Sequence, residues 1–156
     1  MLIFKSVLLI LFFSTNALYA KNIIGKVKVI DGDTININLK KIRLHGIDAP
    51  ETEQNCIFKK KKWPCGKESA SELKKLINNQ VIKCEINDID IYNRYVAICS
   101  SNELNINQIM VKKGWALAYR YYSTDYIIAE KYARENKLGI WRGKFENPYL
   151  FRQRNK

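Results

Sequence analysis

Five charged side chains set the chemistry open to this chain. Asp33 stands in Ile30 to Thr34 (IDGDT), Arg43, Asp48 and Glu51 in Ile42 to Glu51 (IRLHGIDAPE), and Arg94 at the end of Asp88 to Arg94 (DIDIYNR). Carboxylate oxygens at strand ends, joined by a main-chain carbonyl and water, suit a hard cation such as Ca²⁺ or Mg²⁺. An arginine presents a planar fork that matches two phosphate oxygens. A cation, two guanidinium groups and one carboxylate base are the parts that phosphodiester hydrolysis needs. Positive groups neutralise charge on the phosphoryl oxygens, and the base orients or deprotonates water.

Each cluster alone has a blander reading. Asp-Gly-Asp is commonly a plain turn, Asp48-Ala49-Pro50-Glu51 a loop, and an arginine a solvated or surface-paired charge. Their order and spacing together are far more specific. The chain has one His, which excludes His-pair ribonuclease chemistry and a two-His zinc site. That residue, His45, reads as structural or exposed beside Arg43. Tyr119 and Tyr121, two apart on an extended segment, point to one face and could stack on a base; the alternative is a core edge.

The positioning elements follow from periodicity. Alternation predicts strands at Lys26 to Val29, Ile35 to Lys40, Ile42 to His45, Ile82 to Ile86 and Arg94 to Cys99. Asp31-Gly32-Asp33 makes a tight turn, Pro50 ends the third strand, and residues 52–66 read as a polar, Lys-rich loop. Lys67 to Ile77 reads as a helix with Ala70, Leu73 and Ile77 on one face. Asn105 to Lys113 is a short helix closed by Gly114, and Ala116 to Tyr121 is extended. Thr124 to Lys137 is a last helix with Thr124 as N-cap and Gly139 as its stop. Five strands and about three helices in this order are α+β. A five-stranded Greek-key barrel of oligonucleotide-binding (OB) type fits, and a small open sheet fits nearly as well.

The chain has 156 residues, a length for one domain. At 47% apolar residues it can bury a core, which rules out wholesale disorder. A net charge of +12 makes a polyanion the first partner to test. Residues 1–20 read as a secretory signal peptide: Lys5, the apolar run Val7 to Phe13, then Asn16 to Ala20 ahead of the cut. A short N-terminal anchor is the alternative. Loss of Lys5 with that segment takes the charge from +12 to +11 over residues 21–156. No later apolar run approaches membrane-spanning length, so the expected product is soluble, exported to periplasm or medium, and by default monomeric.

In an oxidising compartment, Cys56, Cys65, Cys84 and Cys99 read as disulfides. No C-x-x-C spacing argues for zinc. Cys84 and Cys99 flank an expected hairpin, and an axis between Ile91 and Tyr92 would set them opposite each other, while Cys56 and Cys65 bracket a loop. The expected pairs are Cys56–Cys65 and Cys84–Cys99.

IDGDT, IRLHGIDAPE, Tyr92-x-Arg94 and Leu138 to Trp141 (LGIW) together resemble the thermonuclease (staphylococcal nuclease-like) family in its own order, from about Ile23 to Trp141. The resemblance implies the OB barrel and Ca²⁺-dependent cleavage of DNA and RNA at the bond to the 5′ oxygen, leaving 3′-phosphates. It implies Asp33 and Asp48 as Ca²⁺ ligands through carboxylates, and Ala49 through its carbonyl where the family often has Thr. It implies Glu51 as the group that positions or activates water, Arg43 and Arg94 as the phosphate clamp, and Tyr92, Tyr119 and Tyr121 as the nucleotide pocket. Two departures stand out: Asn93 precedes Arg94 where Gly is common, and the loop after Glu51 is Lys-rich and bracketed by cysteines.

Lys59 to Lys62 and a basic C-terminal tail over about 143–156, with Arg142 just before it and Lys144, Arg152, Arg154 and Lys156 within it, are expected to hold a polyanion backbone without sequence preference. Two other functions compete. A barrel that binds nucleic acid without cutting usually lacks one of the five charged groups, all present here. A membrane-active cationic protein needs a long basic amphipathic helix, and none is convincing.

Overall fold

The computed structural model describes residues 22–155, so the expected signal peptide lies outside the described residues. The barrel strands are β1 (Asn22–Val29), β2 (Thr34–Ile37) and β3 (Lys40–Leu44), followed after short β4 (Ile47–Asp48), hairpin β5 (Cys56–Phe58) and β6 (Lys61–Trp63), and helix α1 (Cys65–Ile77), by β7 (Val81–Ile89) and β8 (Tyr95–Ser101). Short β9 (Leu104–Asn105), α2 (Ile106–Lys112), β10 (Leu117–Ala118), α3 (Ile127–Glu135), a 3₁₀ turn (Gly139–Arg142) and α4 (Pro148–Arg154) complete the chain.

The five long strands run β3-β2-β1-β7-β8, and a parallel β3–β8 pairing closes them into the α+β barrel. Closure removes the free sheet edges. Ile35, Ile37, Ile42, Leu44, Ile82 and Ala97 point inward and are fully buried. The amide of Asn107 pins α2 across the seam: its Nδ2 donates to the carbonyls of His45 and Ala97, and its Oδ1 accepts from Cys99 N–H. An open sheet is thereby excluded.

Several boundaries differ from the periodicity. Helix α1 begins two residues early, at the disulfide-bonded Cys65, and buries Ser69, Leu73 and Ile77 with Ala70 only half-buried. The Ser69 hydroxyl donates to the Trp115 carbonyl at 2.7 Å, which turns that face inward. The expected polar loop contains the β5–β6 hairpin, held by Cys56–Cys65 and by Ile57 pairing with Lys144. Thr124 does not cap α3: the helix starts at Ile127 after Tyr126, and no side chain caps it. Only Leu117 and Ala118 of the expected extended segment are strand, because the chain turns at Tyr119. The basic tail is not a free strap. Asn147 caps α4 by accepting from Tyr149 N–H, and Pro148 opens it.

The second disulfide joins Cys84 to Cys99, which face each other across β7 and β8. A bulge between Ile86 and Asp88 then shifts the register toward the hairpin tip.

Candidate active site

The barrel brings the first two motifs together by strand pairing. Thr34 faces Arg43 across β2 and β3, so Asp33, just before β2, lies beside the guanidinium. Arg43 Nη1 donates to Asp33 Oδ1 at 2.9 Å, and Nη2 donates to Asp48 Oδ1 at 3.0 Å. One planar fork therefore bridges two carboxylates. Both acids are buried, at 3% and 2% exposure. Asp33 also accepts from the Ala49 N–H at 2.9 Å through Oδ2 and from the Thr34 hydroxyl through Oδ1. Burial opposes charge on Arg43, yet Asp33 and Asp48 outweigh it and raise its pKa above the ordinary value. Burial dominates at Asp48 and raises its carboxyl despite the hydrogen bond from Arg152.

Glu51 is fixed by its main chain. Its N–H donates to Gln54 Oε1 at 3.2 Å, and its carbonyl accepts from Gln54 N–H at 2.8 Å. Buried Gln54 reaches on to the Glu146 carbonyl at 2.7 Å, tying this loop to the segment that leads into α4. Gly66 makes the close approach possible: a Cβ there would sit 1.7 Å from the Glu51 carbonyl oxygen. Gly32 does the same for the first motif, where a Cβ would meet Ser69 Oγ at 2.0 Å.

Arg94 arrives from the β7–β8 hairpin. Asp90 organises that turn, accepting from the N–H groups of Tyr92 and Arg94 with Oδ1 and from Arg94 Nε with Oδ2 at 2.7 Å. Burial works to raise the Asp90 carboxyl, but the hydrogen bonds from Arg94 prevail and hold it below its ordinary value. Asn93 takes φ +59°, a left-handed conformation that Asn tolerates, so the turn does not need Gly there.

These groups line one cleft of about 780 Å³, with Asp33, Arg43, Glu51, Tyr92, Arg94 and Tyr119 all on its walls. An adjoining cavity of about 680 Å³ is lined by Asp48, Tyr119, Tyr121 and Tyr149. Tyr119 joins the two because its N–H donates to the Gly46 carbonyl beside β4. Its phenol is raised by burial and by the charge of Asp48.

Among the described residues, no three His, Cys, Asp or Glu side chains gather tightly enough to hold an ion alone. The donors present are nonetheless oxygen-only: buried Asp33 and Asp48 share one guanidinium, and Asp31 lines the same cleft. That set fits a hard cation that completes its shell with main-chain oxygen, water and substrate.

Residues 41–143 match the family model described as staphylococcal nuclease homologue. The chain belongs to the staphylococcal nuclease family. It is 35% identical over 149 residues to a Rhizobium meliloti (strain 1021) protein named succinoglycan biosynthesis protein ExoI, across 91% of this chain and 76% of that one. An uncharacterized endonuclease of Haemophilus influenzae is 34% identical over 128 residues, across 78% and 67%. A micrococcal nuclease of Shigella flexneri is 31% identical over 148 residues, across 83% and 80%.

Within this nuclease-family barrel, Asp33, Arg43 and Asp48 meet directly. Glu51 joins them through Arg152, whereas Arg94 lines the same cleft bonded to Asp90. Tyr121 is exposed and sits in the adjoining cavity instead of the main cleft. Sequence reasoning missed Asp31, Asp90, Tyr122, Tyr149 and Arg152 as wall residues. Asp31 and Asp90 were within reach, as the other carboxylates of IDGDT and DIDIYNR. Arg152 was hidden because no helix was expected there, although Asn147-Pro148 is a helix-start pair. Two neighbouring cations are already engaged: Arg142, just before the tail, stacks 4.0 Å over Trp63 and pairs with Glu68, and Arg154 within the tail pairs with Glu146.

Proposed function

We propose that this nuclease is exported, depends on Ca²⁺ and cleaves DNA and RNA without sequence preference, leaving 3′-phosphate ends. The observation that carries the reading is the Arg43 fork, which bridges buried Asp33 and Asp48 and lies on the wall of a cleft with Asp33, Glu51 and Arg94. Asp33 and Asp48 would hold the cation through carboxylates and Ala49 through its carbonyl. Such an ion would supply positive charge against the charge that builds on the phosphoryl group.

This chain's own groups do the rest. Glu51 orients a water and takes its proton as the water oxygen attacks phosphorus. Arg43 and Arg94 bind the phosphoryl oxygens, with Arg94 beside the departing 5′ oxygen. Two guanidiniums aimed at charge that grows in the transition state accelerate the step itself rather than binding alone. The bond from phosphorus to the 5′ oxygen breaks, so the phosphate stays on the 3′ side. Tyr92, Tyr119 and Tyr121 supply faces on which bases stack. Export is supported by the signal-like residues 1–20 and by two disulfides, which persist in oxidising compartments. Among the described residues no helix is long and apolar enough to cross a membrane. The working unit is a monomer of one domain over residues 21–156.

The test is incubation of the oxidised protein with single-stranded DNA in Ca²⁺ and then in chelator. Product with 3′-phosphate ends, lost on chelation, is the expected result. A gel shift without product would make the protein a binding module.

A further inference from the structure

Helix α4 brings a third guanidinium to the site, and the hydrolysis described above does not use it. Arg152 Nη1 lies 2.9 Å from Asp48 Oδ1 and 2.8 Å from Glu51 Oε1, while Nη2 donates to Asp48 Oδ2 at 3.1 Å. Arg43 Nη2 also donates to Asp48 Oδ1. Both oxygens of Asp48 thus face guanidinium N–H groups, and a cation ligated by Asp48 must share or take one of them.

The two arginines are not equivalent. Arg43 is anchored between Asp33, Asp48 and the Ile47 carbonyl, and its side chain is 14% exposed. Arg152 extends from a short terminal helix, and its side chain is 28% exposed. Asp48 does not need Arg152 for its position, because β4 pairs with β10 at Leu117 and Arg43 holds Oδ1. A second positive group on one carboxylate repels an incoming ion. With no ion present, the same guanidinium compensates two neighbouring carboxylates that would otherwise be left unpaired.

We propose that Arg152 is a built-in counter-ion that competes with the divalent cation for Asp48 and so sets the affinity of the site. This rests on Asp33 and Asp48 being cation ligands. Arg152 holds Asp48 and Glu51 while the site is empty and leaves Asp48 when the ion enters. An apparent affinity falls by the fraction of molecules in the competent arrangement, so removing the competitor tightens binding about ten-fold if Arg152 is off Asp48 in about a tenth of molecules.

The experiment is a calorimetric titration of CaCl₂, without nucleic acid, into wild type, Arg152→Gln, Arg152→Lys and Asp48→Asn. Melting is followed in chelator and in saturating CaCl₂. The expected result is tighter Ca²⁺ binding by Arg152→Gln, with Arg152→Lys between it and wild type. Arg152→Gln also melts lower than wild type in chelator and gains more from CaCl₂. Equal or weaker binding by Arg152→Gln, with Asp48→Asn binding lost, overturns the competition and leaves the cation site standing. Undiminished binding by Asp48→Asn overturns the cation site itself.

Discussion

Asp90 grips Arg94 from two directions, accepting its Nε at 2.7 Å through Oδ2 and its backbone N–H at 2.9 Å through Oδ1. The carboxylate therefore sets both the turn and the aim of the guanidinium. Arg94→Lys keeps the charge but loses the fork, so kcat should fall by about 10²–10³ while substrate binding changes little. Asp90→Asn keeps the shape and weakens the aim, so its loss in kcat should be smaller, roughly ten-fold. Single-turnover rates beside DNA affinities check both. An Arg94→Lys enzyme as fast as wild type would remove Arg94 from the mechanism.

Gln54 is the clasp of the Glu51 loop, with its amide bonded to the Glu51 N–H and the Glu146 carbonyl. Gln54→Ala leaves both backbone groups without that partner, and about 1–3 kcal/mol of stability should be lost. The loop and the approach to α4 should loosen together. The expected kinetic signature is a lower kcat with little change in KM, because the role proposed for Glu51 is on water more than on substrate. Denaturant melts and steady-state kinetics check this, and an unchanged kcat would free Glu51 from dependence on Gln54.

Much of the barrel was legible because its strands alternate. Ile35, Ile37, Ile42 and Leu44 are apolar at every second position, and each is fully buried. The Cys84–Cys99 pair was legible for the same reason, since hairpin register follows from sequence spacing. What stayed hidden was tertiary. Arg152 pairs with Glu51 across a sequence separation of 101, and no periodicity reports such a contact. Helix α4 is only seven residues long, below the length at which an apolar stripe becomes convincing. The β5–β6 hairpin has three-residue strands, too short for alternation to register against the lysines.

The raised carboxyl of Asp31 predicts a dependence of stability on pH. Burial and the charge of Asp33 push its carboxyl from 3.8 up to about 7. Between those values the folded protein binds more protons at Asp31 than the unfolded chain does. Stability from this group is therefore present near pH 4 and falls as pH rises toward 7. Asp31→Asn removes the penalty. In cation-free buffer the variant should gain Tm over wild type as pH is raised from 4 to 7, with the gain levelling off above that. Melts across this range with chelator check it. A Tm difference that does not vary with pH would mean that Asp31 ionises like an exposed carboxyl.

The lysine hairpin offers a test that separates affinity from catalysis. Lys59 to Lys62 sit on β5–β6 and its turn, which Cys56–Cys65 clamps. Each lysine is exposed and none belongs to the cleft walls. If these cations contact the phosphate backbone, log K for single-stranded DNA falls with log salt by about 0.7 per phosphate neutralised. Replacing all four with Gln should flatten that slope by about 1–2 and raise KM at moderate salt, because not every lysine finds a phosphate. The saturated kcat should stay near wild type, since Arg43, Glu51 and Arg94 are untouched. Breaking the clamp with a Cys56→Ser, Cys65→Ser double substitution should cost about 2–3 kcal/mol of stability through the unfolded chain. Its effect on the slope should be smaller, because the charges remain. Salt titrations of DNA binding with kinetics at saturation distinguish these effects. An unchanged slope in the four-Gln variant would make the hairpin a solvated face with no part in holding substrate.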